Sequence, residues 1–249
     1  MTKYPKQIVA LAAFVIAWLL VIAGPNNIQN APDYQSLHLI HKVFLNASIA
    51  AGEMPFWNPY QMLGRPFLAD PETAIFYPTT LLYLFLPFSI ALLFTVFIHL
   101  FIAGNYTIEL ARKLEIHPSL HCVAAIFFML NGTLVMRLML GQIPPFIAIS
   151  ITPWLLWTML RVMDDPKKTN LFKLILTLTL SFLAGHTQFY WIHIIGLTLF
   201  VLGYQLRKID IHHLAITGKT LMSFYACILV SLCLSSVQLI PSIEFFFHS

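Results

Sequence analysis

Residues 88–111 read FSIALLFTVFIHLFIAGNYTIELA, and this stretch decides the fold because Glu109 is its only formally charged residue. A helix needs about 20 mainly apolar residues to cross the hydrocarbon core of a bilayer. Working outward, further apolar segments qualify or nearly qualify at residues 7–24, 118–136, 143–162, 170–185, 187–206 and 216–238. The pattern therefore predicts about seven membrane spans.

The composition points to the same class of protein. Hydrophobic residues make up 59% of the 249 residues and charged residues 10%, whereas a soluble domain has about 25% charged residues. We therefore expect an all-α, polytopic transmembrane helical bundle that forms a single domain over residues 1–249. The net charge of +4 arises from basic residues in short connecting loops. No single face is basic enough to indicate nucleic-acid binding.

The distribution of basic residues predicts the orientation. If the N-terminus lies in the cytoplasm, the outer loops contain only Lys42, Arg65 and Arg137 of the 14 basic residues. Cytoplasmic loops of membrane proteins carry an excess of Lys and Arg. The N-terminus is therefore expected inside, and the polar residues 25–74 form a long outer loop.

Two short helices are expected near the outer surface. Residues 34–52 have helical periodicity, with Leu37, Ile40 and Phe44 on an apolar stripe and His38 and Lys42 off it, which predicts a juxtamembrane helix within the outer loop. The apolar residues 75–87 are too few to cross a bilayer. They are expected to form a re-entrant or interfacial helix.

Asp33 follows the first span closely and is the leading candidate for chemistry. A carboxylate near the outer membrane surface can deprotonate an acceptor hydroxyl or hold a divalent cation. The alternative is structural, because an Asp at the start of a helix can accept hydrogen bonds from free backbone N–H groups. The sequence leaves both interpretations open.

Three charged residues further along the loop also have two interpretations each. Arg65 offers a planar fork that suits phosphate, or it pairs internally with Asp70 or Glu72. The two acids could be metal ligands or a general base. They could equally cap the helical segment that follows, because acidic residues are favoured at the positive end of a helix.

The remaining candidates come from later outer-side turns. Arg137 is the only basic residue of its outer loop; it either extends toward the membrane surface as an anchor or contacts a phosphate. His186 and Gln188 lie in a turn between two apolar runs, on the same side as Asp33, and are structural or contact substrate. His99 and His193 fall within spans, where we expect them to pack by hydrogen bonding across helices.

Several motifs of the outer loop resemble those of the bacterial YfhO membrane-protein family. They are Asp33-Tyr34-Gln35, the block GEMPFWNP at residues 52–59, Gly64-Arg65-Pro66 and Phe76-Tyr77-Pro78. Later outer-side pieces resemble the same family, at Asn131-Gly132, Gly141-Gln142, the turn at residues 185–188, and residues 238–241 with Glu244. The resemblance covers most of the chain in order. Because family members are longer, it implies that this chain is the N-terminal portion of a larger protein.

The resemblance implies a fold and an activity of the GT-C type. Glycosyltransferases of that class take sugars from polyprenyl-phosphate donors at the outer face of a bacterial cytoplasmic (inner) membrane. By resemblance Asp33 takes the catalytic position, and the acceptor is an envelope glycan or lipid. The substrate-binding candidates are Arg65, Asp70, Glu72, Arg137, His186 and Gln188. No resident cofactor is expected, although a divalent cation is possible. The alternatives are a lipid or polysaccharide transporter or flippase component, and a non-catalytic envelope scaffold.

Overall fold

The computed structural model describes residues 5–23, 27–206 and 211–248. Twelve α-helices lie in this part of the chain: α1 (Pro5–Trp18), α2 (Leu39–Ala50), α3 (Leu82–Phe85), α4 (Phe88–Lys113), α5 (His121–Met129), α6 (Gly132–Met139), α7 (Ile143–Ser150), α8 (Thr152–Asp164), α9 (Lys168–Leu183), α10 (Thr187–Leu206), α11 (Ile211–Leu234) and α12 (Ser236–His248).

Shorter elements extend or connect these helices. Wider π-helical turns continue α1 to Ala23 and precede α2 from Tyr34 to His38. Strands β1 (Trp57–Asn58) and β2 (Arg65–Pro66) pair antiparallel as a small hairpin inside the long loop. Single 3-10 turns occur at Ile28–Asn30, Pro71–Thr73, Pro78–Leu81 and Pro118–Leu120.

Among the described residues, five helical segments are long and apolar enough to cross a membrane, and a bent helix pair makes a sixth if it counts as one span. The five are Pro5–Ala23, Phe88–Lys113, Pro118–Met139, Ile143–Asp164 and Thr187–Tyr204. The chain is therefore an all-α membrane helical bundle, with fewer demonstrably long spans than the seven expected. The difference lies partly in α9, which has 16 residues, whereas a perpendicular crossing needs about 20.

Helix α4 is the centre of the bundle. It packs against α1, α5, α7 and α8, while α9 packs against α8, α10 and α11. Gly104 allows the closest approach, because a Cβ at this position would lie 2.6 Å from Val9 Cγ1 and 2.7 Å from Met129 Sδ. Small residues let membrane helices approach closely enough to gain dispersion contacts. Substituting Gly104 would therefore force α1, α4 and α5 apart.

The two histidines in the spans are engaged in hydrogen bonds. His99 Nδ1 donates to a main-chain carbonyl one turn earlier at 2.6 Å, so its Nε2 accepts from the Tyr77 hydroxyl at 2.8 Å. The ring nitrogens of His193 bond the hydroxyls of Thr152 at 2.9 Å and Ser181 at 3.0 Å. His193 therefore bonds across helices as the sequence predicted, whereas His99 bonds its own helix and Tyr77, which precedes the short helix between the two prolines.

The last predicted span ends earlier than expected. Instead of continuing through residue 238, the helix breaks at Ser235, and the axes of Gly218–Leu234 and Ser236–Phe247 differ by 80°. Helix α12 then runs across the long loop. Gln238 Nε2 donates to the carbonyl of Leu68 at 3.0 Å, and Ser242 Oγ donates to that of Ala69 at 2.7 Å.

Charged residues separate between the two ends of the bundle. At one end, Glu109 accepts from Lys6 at 3.3 Å and from Arg112 at 2.9 Å, and Lys113 pairs with Asp164. Because Lys6 starts α1 and Glu109 lies near the end of α4, these two helices are antiparallel. The end of α1 and the long loop therefore lie at the opposite end of the bundle.

Helix α2 has its polar face inside and its apolar face outside. His38, His41 and Lys42 are buried, at 6%, 2% and 2% exposure. Leu37 and Ile40, which the sequence placed on the apolar stripe, are exposed at 40% and 41%. A helix on a water-soluble protein has the reverse arrangement. Next to α2, the segment between Pro78 and Pro87 forms a short helix where the sequence predicted one.

Candidate functional site

Two glycines dock later loops onto the long loop and so assemble the site. Gly141, with a φ of +79°, lies so close to the Asp33 helix that a Cβ would be 2.4 Å from the backbone nitrogen of Tyr34. Gly185, with a φ of +90°, would place a Cβ 2.6 Å from the carbonyl oxygen of Pro71. Only glycine adopts these backbone angles at little cost and leaves room for the contact.

A cavity of about 150 Å³ forms where these loops meet, and we call it the Asp33 compartment. At about 30 Å³ for each water molecule, it has room for roughly five waters or one small polar group. Its wall combines carboxylates, imidazoles, a guanidinium and two prolines. The lining residues are Asp33, Leu37, His38, His41, Glu72, Arg137, Gly141, Gln142, Pro144, Pro145 and His186.

Asp33 is held by a side chain and does not cap a helix. Its backbone is already helical, with φ −68° and ψ −30°, and its carboxylate makes no capping hydrogen bond. Oδ2 instead accepts from Nε2 of Gln142 at 2.7 Å. Oε1 of Gln142 accepts in turn from Nη1 of Arg137. The capping alternative for Asp33 was therefore wrong, and a neutral amide bridges a negative and a positive group.

Three nitrogen atoms in the same compartment are buried without a hydrogen-bond partner in the structure. They are Nε of Arg137, Nε2 of His41 and Nδ1 of His186. Burial lowers the pKa of His186, and the positive charge of Arg137 lowers it further. Burial also lowers the pKa of His41, against the opposing charge of Asp70. Buried polar atoms normally have partners, so these nitrogens are available to a ligand.

A second cavity, the middle compartment, adjoins the first and has a volume of about 410 Å³. The two share Glu72 and His186 as a common wall. The middle compartment is lined by Arg65, Asp70, Pro71, Glu72, Gly185, His186, Thr187 and Gln188. The candidates from the long loop thus lie beside those of the turn between α9 and α10.

Arg65 and Asp70 form an ion pair, with Nη2 of Arg65 2.7 Å from Oδ2 of Asp70. The other carboxylate oxygen, Oδ1, accepts from the backbone nitrogen of Glu72 at 3.0 Å. Asp70 therefore caps the turn that carries Glu72, as one of its alternatives proposed. Partial desolvation raises the pKa of Glu72, and the negative charges of Asp70 and Asp33 add to this effect, against the opposing Arg65.

A third cavity, the apolar compartment, adjoins the middle one through Arg65 and has a volume of about 780 Å³. It lies between the small hairpin and α12. Gly64 tightens the hairpin, because a Cβ there would be 2.6 Å from Trp57 Cζ2. The lining residues are Phe56, Trp57, Met62, Gly64, Arg65, Pro66, Leu68, Ala69, Pro241, Glu244 and Phe245. The three compartments thus form a row from Asp33 to the bent helix.

The buried Lys42 stabilises segments that adjoin this row of cavities. Nζ of Lys42 donates to the carbonyl oxygen of Thr73 at 2.7 Å and to Oγ1 of Thr80 at 3.0 Å. It also lies 5.7 Å from the centre of the Tyr83 ring. Burial lowers the pKa of Lys42 to about 7. Through these bonds α2 holds both the turn carrying Glu72 and the short helix between the two prolines.

The structure thus brings all the sequence-predicted site residues into two adjoining cavities. Asp33, Glu72, Arg137 and His186 line the first, and Arg65, Asp70, Glu72, His186 and Gln188 line the second. Their roles remain predictions. No group of three or more His, Cys, Asp or Glu residues suited to a metal ion occurs within the described ranges, and the possible divalent cation also stays a prediction.

Sequence reasoning assigned no site role to Gln142, His38 or His41. Gln142 was visible as part of a Gly-Gln motif, but nothing in the sequence showed that its amide reaches Asp33, 109 positions earlier. His38 was placed off the apolar stripe of its helix, which in a soluble protein would put it in solvent, and His41 was assigned to neither face. The helical spacing of the two histidines with Lys42 and Leu45 places all four residues on one side of the helix, and this was the available signal that the polar residues are buried.

No family model, curated protein or solved structure matches the chain. The fold and the site therefore define the class: a helical membrane protein with a row of adjoining polar and apolar cavities at one end of its bundle. Within that row, one carboxylate is tied to an arginine through a glutamine amide.

Proposed function

We propose that the chain is a glycosyltransferase-like membrane protein that transfers a sugar from a polyprenyl-phosphate donor to an envelope acceptor. The proposal joins the sequence resemblance to the YfhO family and the GT-C class with the order of the cavities. Most ionisable groups lie around Asp33, the Arg65–Asp70 ion pair lies in the middle compartment, and the far end is lined mainly by aromatic and aliphatic groups, with Arg65 and Glu244 among them. A lipid-linked sugar has the same order of polar head, phosphate and apolar chain.

The chemistry assigned to Asp33 is general base catalysis. Its carboxylate takes the proton of an acceptor hydroxyl, the acceptor oxygen bonds the anomeric carbon, and the bond from that carbon to the phosphate oxygen breaks. The electron pair leaves with the lipid phosphate, and the anomeric configuration inverts. Arg137 and Arg65 stabilise the charge that develops on the phosphate. His186 and Gln188 hold sugar or phosphate oxygens, and Asp70 and Glu72 position Arg65 and the shared wall.

One observation carries the proposal: Asp33 and Arg137 share a cavity but are separated by the amide of Gln142. With the amide between them, the carboxylate and the guanidinium do not bond each other directly, and Nε of Arg137 keeps an unused donor. A base and a phosphate-binding cation are both required for transfer from a lipid phosphate.

We also propose in which membrane the protein lies and how it is oriented there. Lys and Arg residues are concentrated at the end of the bundle opposite the cavities, which supports a cytoplasmic N-terminus and an outer-face site in a bacterial plasma membrane. We further propose a seven-span, GT-C-like arrangement, in which α9 crosses the membrane although it has only 16 residues. A transporter or flippase has less support, because both histidines within the spans are engaged in hydrogen bonds, His193 to two neighbouring helices and His99 to its own helix and to Tyr77.

The test uses the full chain in proteoliposomes with a panel of fluorescent polyprenyl-phosphate sugars and measures release of polyprenyl phosphate. Asp33→Asn keeps the shape of the side chain and an acceptor for Gln142 but removes the base. We expect the rate to fall by roughly 10²–10⁴-fold. Glu53→Gln is the matched control, since Glu53 is an exposed acid of the same loop. An Asp33→Asn rate within twofold of the wild type would refute the proposed role of Asp33.

A further inference from the structure

The outward face of α2 carries information that the proposed function does not use. Within residues 37–47, the exposed side chains are all apolar. They are Leu37, Ile40, Val43 and Ala47. The polar side chains of the same stretch point into the protein, where His38, Lys42 and Asn46 make hydrogen bonds. Apart from Nε2 of the buried His41, the helix therefore satisfies its polar groups internally, and it presents hydrocarbon to its surroundings.

The apolar surface continues beyond α2. Helix α2 packs against α3 and α3 against α4. On the segment between the two prolines, Leu81 is 55% exposed and Phe85 is 80% exposed. On the span α4, Phe94 is 41% exposed. Exposed apolar side chains thus occur on each member of this packed series of helices, and the last member belongs to a membrane span.

We infer that the juxtamembrane helix α2, together with α3, lies deeper than the membrane surface, with this apolar face immersed in the acyl chains of the bilayer. Water would solvate an exposed row of aliphatic side chains poorly, and polar groups cannot face lipid without an internal partner. The inward polar bonds of α2 meet that second condition. A helix with one apolar face can lie along the membrane boundary with this face among the lipid chains.

The immersion has a consequence for the site. Leu37 lines the Asp33 compartment and is also exposed on the apolar face of α2. The compartment is therefore separated from lipid by the side chain of Leu37 at this position. Lipid chains, and an amphiphilic ligand among them, lie directly against the rim of the cavity. The ligand class that this rim admits is an amphiphile that arrives within the leaflet.

The test is site-directed spin labelling in phosphatidylcholine–phosphatidylglycerol vesicles, with the three cysteines replaced by alanine. Nitroxides at Leu37→Cys, Ile40→Cys and Val43→Cys report collisions with oxygen, which concentrates in lipid, and with a water-soluble nickel chelate. Leu199→Cys, on a 63% exposed residue of α10, provides the lipid standard. Glu53→Cys provides the water standard.

We expect the three α2 labels to resemble the Leu199 label, with oxygen collisions several-fold more frequent than nickel collisions. Nickel collisions as frequent as at Glu53 would place α2 in water and overturn the inference. Low collision rates with both reagents would show that protein, such as a second copy of the chain, covers the face, and would also overturn it. The readout requires no catalytic turnover, so its outcome is independent of the transfer assay.

Discussion

Replacing the buried Lys42 by methionine tests how the long loop is held together. Lys42 is 2% exposed and donates to Thr73 and Thr80, and burial lowers its pKa from 10.5 to about 7. In the unfolded chain the same group titrates near its ordinary value. Between those two pH values the unfolded state binds a proton that the folded state has released. Stability must therefore rise with pH in this window.

The size of the effect follows from the two pKa values. One proton changes the unfolding free energy by about 1.4 kcal/mol per pH unit. The slope is nearly full between pH 7.5 and 9.5, so this lysine contributes a rise of roughly 2.5 kcal/mol over that interval. Methionine has a similar unbranched stem but does not titrate. Lys42→Met should therefore lose this rise, while leaving the acceptor atoms of two threonines without their donor.

The assay measures unfolding free energy by SDS titration in mixed micelles at pH 7.5, 8.5 and 9.5. Lys168→Met is the matched control, because Lys168 is exposed at the first residue of α9 and its loss should leave the slope unchanged. If Lys42→Met retains the wild-type dependence on pH, Lys42 does not titrate in this window and the reasoning about its burial fails.

Two further substitutions test contacts that hold the site in place. Gly141→Ala should destabilise the protein by about 1–2 kcal/mol from its backbone angle alone, and by more because of the contact with Tyr34. Gly132→Ala is the control, since a Cβ at this position meets nothing within 4 Å, and it should be neutral or stabilising in the same thermal melts. Equal effects of the two substitutions would contradict the role of Gly141 in docking its loop. Tyr77→Phe removes the hydroxyl that donates to His99 and should lower the unfolding free energy by about 1–3 kcal/mol. An unchanged melting temperature would show that this hydrogen bond contributes nothing to stability.

Hydropathy predicted most of the bundle because crossing a bilayer requires long apolar helices. The spans that include α1, α4, α8 and α10 appear within a few residues of their expected positions. The break at Ser235 was not predictable, because the residues on both sides of the bend are apolar and helical. Its hydrogen bonds reach Leu68 and Ala69, far away in the sequence.

The grouping of the candidate residues at one end of the bundle was predictable from the sequence, but their geometry was not. Basic-residue counting placed Asp33, Arg65, Arg137 and His186 at one end of the bundle, and the structure gathers them there. The inward polar face of α2 could not be assigned from periodicity, because a helical stripe does not reveal whether its surroundings are lipid or protein. Gln142 was missed for a related reason: its role depends on the close approach that Gly141 permits.

The two hydrogen bonds between α12 and the long loop join residues 170 and 173 positions apart. Ribosomes add about 5–20 residues per second, so the loop leaves the ribosome roughly 10–35 seconds before the helix that bonds it. During that interval the wall of the apolar compartment is incomplete, because it lacks Phe245, which lines this cavity together with Trp57. This end of the molecule therefore assembles late, because the long loop is synthesised well before α12. Until then, the loop residues that bond α12 depend on other molecules to cover them.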